Sequence, residues 1–570
     1  MTQPSILKAM FRGEIPESAL FPYPELPARE VAAVHRLVDA SRKFFTAQVD
    51  SAAIDRDASV PASVLGGLRE LGLFGLLVPT AYGGAGLSMS AFSRVIDVLS
   101  ALDASIAVVV GAHQSIGLMG LLLFGTEAQK QRYLPAMAKG ETVAAFALSE
   151  VGAGSDAASI TTHAEKVDGG YRITGSKAWT TNGGIADVFT VFARTGSTDD
   201  GRKPRITAFL VERGAGIEVG ADAPKLGIRG VTTPMLTLNG VFVPDDAVLG
   251  EPGRGFKVAM EVLNAGRLGL AAGCVGASKH AIKLAVERAR TRRAFGRSIS
   301  EFGLIKDKIA TMMAETYAIE SATYLTTHLI GAGDVDVALE SAACKVLGSE
   351  TLWHVVGETL QIAAGAGYMR EHPYERMLRD SRIHLIFEGT NEILRSFIAL
   401  SGVAGPGEAM ADVKRAMKEP MRGLGTLGDF ALRKAKDALG RERLPKVHPA
   451  LAREATLVDG YVGELARASE RALRKHGRNI GEMQYSQRRL ADMAMDLYAL
   501  GAIVSRTSRE VERRGVEGAR RKLNLATIYA GIAERRLEAN LAAFDRNDDE
   551  LRKSVASRAY DDGGYALDVL

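Results

Sequence analysis

The spacing of apolar residues changes twice along this chain, and that double change limits the folds open to it more than any other feature. From residue 29 to 140 apolar positions recur at helical intervals, interrupted by one loop at 79–86. Short β-type runs follow at 171–174, 188–192, 206–211 and 235–238, between Gly and Asp turns. Helical spacing returns at Gly255 and holds to about Gly402, broken near Ala363 and at Glu388-Gly389. The fold class expected is mostly α with a central β domain: a helical N-terminal domain (1–143), a small β-barrel-like middle domain (144–254) and a helical bundle (255–403). Gly405-Pro406-Gly407, Pro420, Gly423, Gly425, Pro445 and Pro449 then predict a linker over 404–449. Long amphipathic helices resume after it, so an appended helical domain is expected over 450–570.

A chain of 570 residues, 46% of them apolar, is too long for one core, which agrees with several units. The net charge of +4 is too small to argue for nucleic acid as a partner. Cys274 and Cys344 lie far apart in no CxxC pattern, which predicts neither disulfide nor zinc site and fits a reducing compartment. The ten histidines form no HExxH-type cluster, so no metal is expected. Glu14, Pro16 and Glu17 stand where an export signal needs an apolar run. The most apolar stretch, 105–124, is interrupted by His113, Gln114 and Ser115 and reads as one buried helix.

Four segments carry chemistry. At 145–156 a strand-like run meets a small-residue turn (Ser149-Glu150-Val151-Gly152-Ala153-Gly154-Ser155), which lets backbone and hydroxyl groups approach a flat polar ligand. At 175–184, Trp179 and Thr181 stand two apart, which on a strand puts both on one face. The third is Gln361 to Tyr368 and the fourth Phe387-Glu388-Gly389-Thr390-Asn391-Glu392. Taken singly, Trp179 reads as a packed core residue and Glu388 as an acid near a helix start. Their joint order overturns this. Glu150 reads as structural, and the GxGxxG at 423–428 follows no strand, so no dinucleotide site is expected there.

In order and spacing these segments resemble the acyl-CoA dehydrogenase family over most of 73–403. The resemblance implies FAD as cofactor, with Phe146, Leu148 and Ser149 along the flavin pyrimidine, Gly154 in the turn, and Ser155 between cofactor and thioester. It also implies Trp179 covering one flavin face and Thr181 near N5. Arg292, Phe295, Gln361 and Gly365 correspond to residues that hold the adenosine half across a subunit interface, which implies at least a homodimer. Thr390, Asn391 and Glu392 join the cofactor set, and Asn264, Arg267 and Gly389 the substrate set. Glu388 matches the base that abstracts the α-proton. Some relatives carry that glutamate at the position of Gly266, which cannot do so. Val151 and Ala364 depart from the family's usual proline and glycine.

Val447-His448-Pro449, 487–492 and 496–499 resemble the C-terminal domain of the very-long-chain branch, and 111–120 matches its first domain. Gly117 and Gly120, three apart, then predict room for a long acyl tail, tight helix packing being the other reading. The expected activity is α,β-dehydrogenation of long or very-long-chain fatty acyl-CoA (an oxidoreductase acting on CH–CH groups) within β-oxidation, passing electrons to electron-transfer flavoprotein. The alternatives are a flavin-bound respiratory-complex assembly scaffold and an acyl-CoA oxidase. Ten basic against four acidic residues over 414–446 predict peripheral contact with an anionic membrane. The location expected is the cytoplasm in a bacterium, peripheral to the inner membrane, or the mitochondrial matrix side for a processed eukaryotic chain.

Overall fold

Asp50, Ser88, Asp103 and Thr126 each start a helix of the first layer, because their side-chain oxygens accept backbone N–H groups that a first turn leaves free. The computed structural model describes residues 5–197, 204–333, 335–418 and 444–567. The first layer comprises chiefly the helices Ala28–Gln48, Met89–Leu102, Ala104–Ala112 and Glu127–Lys139. The run at 105–124 is not one helix. A π-helical turn, His113–Gly117, divides it. The polar pair explains the break. Gln114 donates to the Leu73 carbonyl at 2.7 Å and accepts from Leu77 N–H at 3.0 Å, while Ala144 N–H donates to His113 Nδ1 at 3.0 Å. The widened turn aims both side chains at neighbouring backbone. Of the most apolar window of Ala104–Phe124, 67% is buried inside the fold.

The middle layer is one sheet: β1 (Ala144–Ala147), β2 (His163–Val167), β3 (Gly170–Lys177), β4 (Val188–Ser197), β5 (Pro204–Glu212), β6 (Ile217–Val219), β7 (Leu236–Pro244) and β8 (Val248–Leu249). Its order is β6-β7-β3-β2-β4-β5-β8, with β1 parallel to β4 in the register Ala144↔Val188. β4 is buried continuously from Val188 to Ala193, as a strand covered on both faces must be. β1 thereby delivers Phe146, Leu148 and Ser149 to the edge where the first helices meet the sheet.

The helices Gly255–Thr291, Gly303–Ala332, Ala338–Ala363 and Asn391–Lys418 share one continuous apolar core with the C-terminal helices Ala452–His476 and Gln484–Asp545. Leu268, Val346 and Ile398 pack in it with Leu497, Tyr498 and Tyr529. Gly515 takes φ 70° inside the Gln484–Asp545 segment, and the chain returns so that Arg536 reaches Asp496.

Two expected element placements are corrected. The helix beginning at Asn391 does not stop at 403 but passes through Gly405-Pro406-Gly407 to Lys418. Pro406 removes one helical N–H, yet this segment is packed from outside: a Cβ on Gly402 would lie 2.4 Å from the Phe11 ring, so the glycine is the slot for that ring. Phe11 belongs to the second correction. Ile6, Leu7, Met10 and Phe11 pack into the C-terminal core rather than with the first domain. Buried Glu340 ties them there, accepting from Ser5 Oγ at 2.6 Å and Leu7 N–H at 2.8 Å. The basic stretch at 414–446 and the glycines at 423–428 fall mostly or wholly outside the described residues.

Candidate active site

Glu388 lies between the short helix Tyr374–Arg382 and the helix that begins at Asn391, and it adopts φ +60°, followed by Gly389 at +92°. A glutamate occupies the left-handed region only where its surroundings compel it. Two buried cations do so: Arg267 Nε donates to the Glu388 carbonyl at 3.1 Å, and Lys345 Nζ to the Gly389 carbonyl at 2.7 Å. The carboxylate is left without a partner at its buried Oε2. Desolvation pushes its pKa up to about 7, against the pull of Arg267 and Lys345. Burial in turn draws Lys345 down to about 8.

Glu388 forms one wall of an apolar cavity of about 140 Å³. Gly266, Gly269, Gly273 and Ala277 line it along one face of the Gly255–Thr291 helix, with Ile96, Ala107 and Gly111 opposite. Gly266 contributes by what it lacks. A Cβ there would lie 2.7 Å from Glu388 Oε2 and 2.7 Å from Ile116 Cγ2. The lining continues to His280, roughly 20 Å along the helix at about 1.5 Å of rise per residue, where Asp103, Arg376 and Asp380 make it polar.

Beside this cavity, Ala178 N–H donates to the Ser149 carbonyl at 2.9 Å and joins the first two motifs. Glu150 proves structural. It accepts from Lys177 Nζ at 2.9 Å and from the Thr161 and Thr162 backbone, so its carboxyl is held at about 2 although burial opposes this. Lys177 is lowered to about 8 by the same burial and stays charged at neutral pH, so the pair is ionised. Ser155 and Gly154 stand exposed on the turn this pair anchors. Trp179 and Thr181 are not on the strand expected for them, because β3 ends at Lys177 and Trp179 takes φ +54°. The loop instead divides its side chains: the Trp179 indole is 58% exposed, whereas Thr181 lines the Glu388 cavity. Asn182 Nδ2 fastens it to the Val109 carbonyl at 2.9 Å. An uncovered indole, hydroxyls at Ser149 and Ser155, and an open turn at Gly154 suit a flat ring system with polar edges laid against this loop.

Other expected site residues fall elsewhere. Gly117 and Gly120 do not line the cavity. A Cβ on Gly117 would meet the Ala144 carbonyl oxygen at 2.5 Å, and one on Gly120 would meet Leu249 at 3.0 Å, so both serve close packing against the sheet. Arg267 holds the Glu388 turn rather than lining the cavity, and Asn264 supports it, accepting from Arg267 Nη1 at its Oδ1 at 3.3 Å. Asn391, expected at the cofactor, is buried and spends its amide on Lys345, Ser349 and Glu350. Thr390 Oγ1 accepts from Ile393 N–H at 3.4 Å and Glu392 is exposed. Arg292, Phe295, Gln361 and Gly365 stand exposed, away from the cavity. Lys345 was missed, although a lone lysine in the apolar run Ala342-Ala343-Cys344-Lys345-Val346-Leu347 is itself a signal.

Helices, sheet and helices thus surround a desolvated carboxylate, beside an open turn and an exposed indole, and the comparisons give this arrangement its class, an FAD-dependent oxidoreductase. The chain belongs to the acyl-CoA dehydrogenase family. The family's N-terminal, middle and C-terminal domain models match residues 33–141, 145–241 and 253–402, and the ACAD9/ACADV C-terminal domain matches 449–565. A very long-chain specific mitochondrial acyl-CoA dehydrogenase of Macaca fascicularis is 41% identical over 98% of this chain and 88% of its own length. An acyl-CoA dehydrogenase from Bacillus anthracis, solved in complex with FAD, superposes with a TM-score of 0.79 at 30% identity, over 96% of this chain and 94% of that one. Butyryl-CoA dehydrogenase from Megasphaera elsdenii matches at TM-score 0.62 and 33% identity over 65% of this chain but 97% of its own.

Proposed function

We propose that the chain oxidises long or very-long-chain fatty acyl-CoA to trans-2-enoyl-CoA, with FAD as cofactor and electron-transfer flavoprotein as acceptor. The observation that carries this reading is the unpartnered, desolvated Glu388 carboxylate at one end of an extended apolar cavity. A thioester α-proton is weakly acidic, so the step needs a positioned base whose pKa lies near ambient pH. Burial supplies that in Glu388, whose Oε2 takes the proton. The Glu388 N–H makes no hydrogen bond among the described residues, which leaves it free to donate to the thioester oxygen as enolate charge develops. Arg267 and Lys345, gripping the next two carbonyls, keep that N–H oriented. FAD, when bound, accepts the β-hydride. Trp179, Thr181, Ser149 and Ser155 would hold it beside the cavity.

We assign the exposed Arg292, Phe295, Gln361 and Gly365 to the adenosine half of a partner's FAD in a homodimer. Peripheral attachment to an anionic membrane through residues 414–446 belongs to the same reading, on their basic composition.

The test is flavin bleaching by palmitoyl-CoA in the purified protein under anaerobic conditions. Bleaching in the parent and its loss in Glu388→Gln are expected. A parent that does not bleach sinks the reading in favour of a scaffold, and stoichiometric peroxide in air without added acceptor converts it to an oxidase.

A further inference from the structure

The catalytic turn is held by more than its two cations. Lys345 Nζ also donates to Asn391 Oδ1 at 2.7 Å, and Asn391 Nδ2 donates to Glu350 Oε1 at 3.1 Å. Glu350 accepts both terminal nitrogens of Arg395, at 2.7 and 2.9 Å. The remaining edge of that guanidinium, Nε, donates to Asp492 Oδ1 at 2.7 Å, on the C-terminal Gln484–Asp545 segment. An unbroken polar path therefore runs from the Gly389 carbonyl to the C-terminal unit. Arg395 lies one helical turn after Asn391, so it meets Glu350 on the same side of its helix.

Leu394 and Ile398 pack into the core shared with the C-terminal helices, and the joint has a polar side as well. Beside Arg395 and Asp492 opens a polar cavity of about 390 Å³, lined also by Glu315, His354, Asp496 and Arg536. The bidentate pair with Glu350 fixes the guanidinium plane, and Asp492 fixes its third edge, so the helix carrying Arg395 has little freedom to rotate. Rotation there would carry Asn391 and the turn with it.

We propose that Arg395 is a positioning residue that anchors the catalytic turn to the C-terminal helices, through Glu350, Asn391 and Lys345 on one side and Asp492 on the other. This rests on the functional reading only for its kinetic consequence. The appended helices then do more than share a core: they brace the base.

The test uses the full-length FAD-loaded protein with Asp492→Ala and the conservative Asp492→Asn, which keeps an oxygen to accept from Nε. In Asp492→Ala, hydrogen exchange at residues 387–392 rises, kcat on palmitoyl-CoA falls roughly tenfold, and KM moves less than about twofold. The acid limb of the rate profile shifts to lower pH, because a loosened turn lets water reach Glu388. Asp492→Asn stays near the parent in all four. Parent-like exchange in Asp492→Ala, or a lower kcat with an unmoved acid limb, overturns the proposal. Should Asp492→Ala fail to fold, Arg395→Lys, which keeps the charge but cannot hold three edges, is judged by the same readouts. The exchange measurement needs no substrate, so a parent that turns over no acyl-CoA sinks the functional reading while unchanged exchange sinks this one.

Discussion

Replacing Gly266 with alanine tests whether the cavity is shaped around the proposed base, Glu388. The new methyl would lie 2.7 Å from Glu388 Oε2 and from Ile116 Cγ2, against ordinary contact from 3.4 Å, so the carboxylate and the isoleucine must each give by about 0.7 Å. Glu388 is the one with an unpartnered oxygen, and the turn behind it is gripped by Arg267 and Lys345. The side chain therefore swings while the backbone stays. A displacement near 1 Å of a reacting group costs on the order of 100-fold, so the rate of flavin bleaching by palmitoyl-CoA in stopped flow is expected to fall about 10- to 100-fold. Stability moves far less. Alanine gains about 1 kcal/mol over glycine inside a helix, while overpacking costs about 1–3 kcal/mol, which leaves a melting shift of no more than about 5 °C. Gly357→Ala, also inside a helix but with nothing within 4 Å of its Cβ, serves as control and is expected to bleach at the parent rate. A Gly266→Ala protein that bleaches at the parent rate refutes the reasoning, as does one that loses rate only because it has unfolded or shed its flavin.

Two further expectations follow from buried contacts. Glu150→Gln leaves Lys177, whose side chain is wholly buried, without its counter-charge; urea unfolding at pH 7 should show a loss of about 3–5 kcal/mol. Because Glu150 is depressed from 4.5 to about 2 in the folded chain, its contribution is fully present above about pH 4.5 and lost as pH falls toward 2. The gap between parent and variant should therefore narrow in acid, and a gap that widens there contradicts the pairing. Gly117→Ala places a methyl 2.5 Å from the Ala144 carbonyl oxygen, so thermal melting should show destabilisation while acyl chain-length preference stays as in the parent; a preference shifted to shorter chains with unchanged melting would restore Gly117 to the channel.

What the sequence reveals of the fold is what repeats. Helical intervals and the near-continuous apolar run of β4, with Thr190 its one hydroxyl between Val188 and Ala193, are written in residue type, because a strand covered on both faces buries every position. β2, β6 and β8 were not visible. His163-Ala164-Glu165-Lys166-Val167 carries as many charges as a loop, and strands of two or three residues have no period to detect. The helix that runs on past 403 was hidden for a related reason: glycine and proline mark a break only where nothing packs against them, and Phe11, almost 400 residues away in sequence, fills the slot at Gly402.

The site divides along the same line. Glu388, Trp179 and Thr181 sit in contiguous motifs, so their identities are legible, yet Trp179 was expected on a strand because alternation cannot report φ +54°. Gly117 and Gly120 misled for the opposite reason. A glycine pair on an apolar helix marks close approach without saying whether a ligand or a carbonyl comes close, and only the distance to Ala144 decides. Nor does residue type reveal partnership: Lys345, Glu350, Arg395 and Asp492 are ordinary charges on three helices, and their joint meaning arises from hydrogen bonds of 2.7 to 3.1 Å that fold them into one path. Gly266 completes the argument. Empty in sequence, it is the position where the added methyl would strike the Glu388 carboxylate, so that carboxylate and the missing side chain at 266 are two halves of one cavity wall.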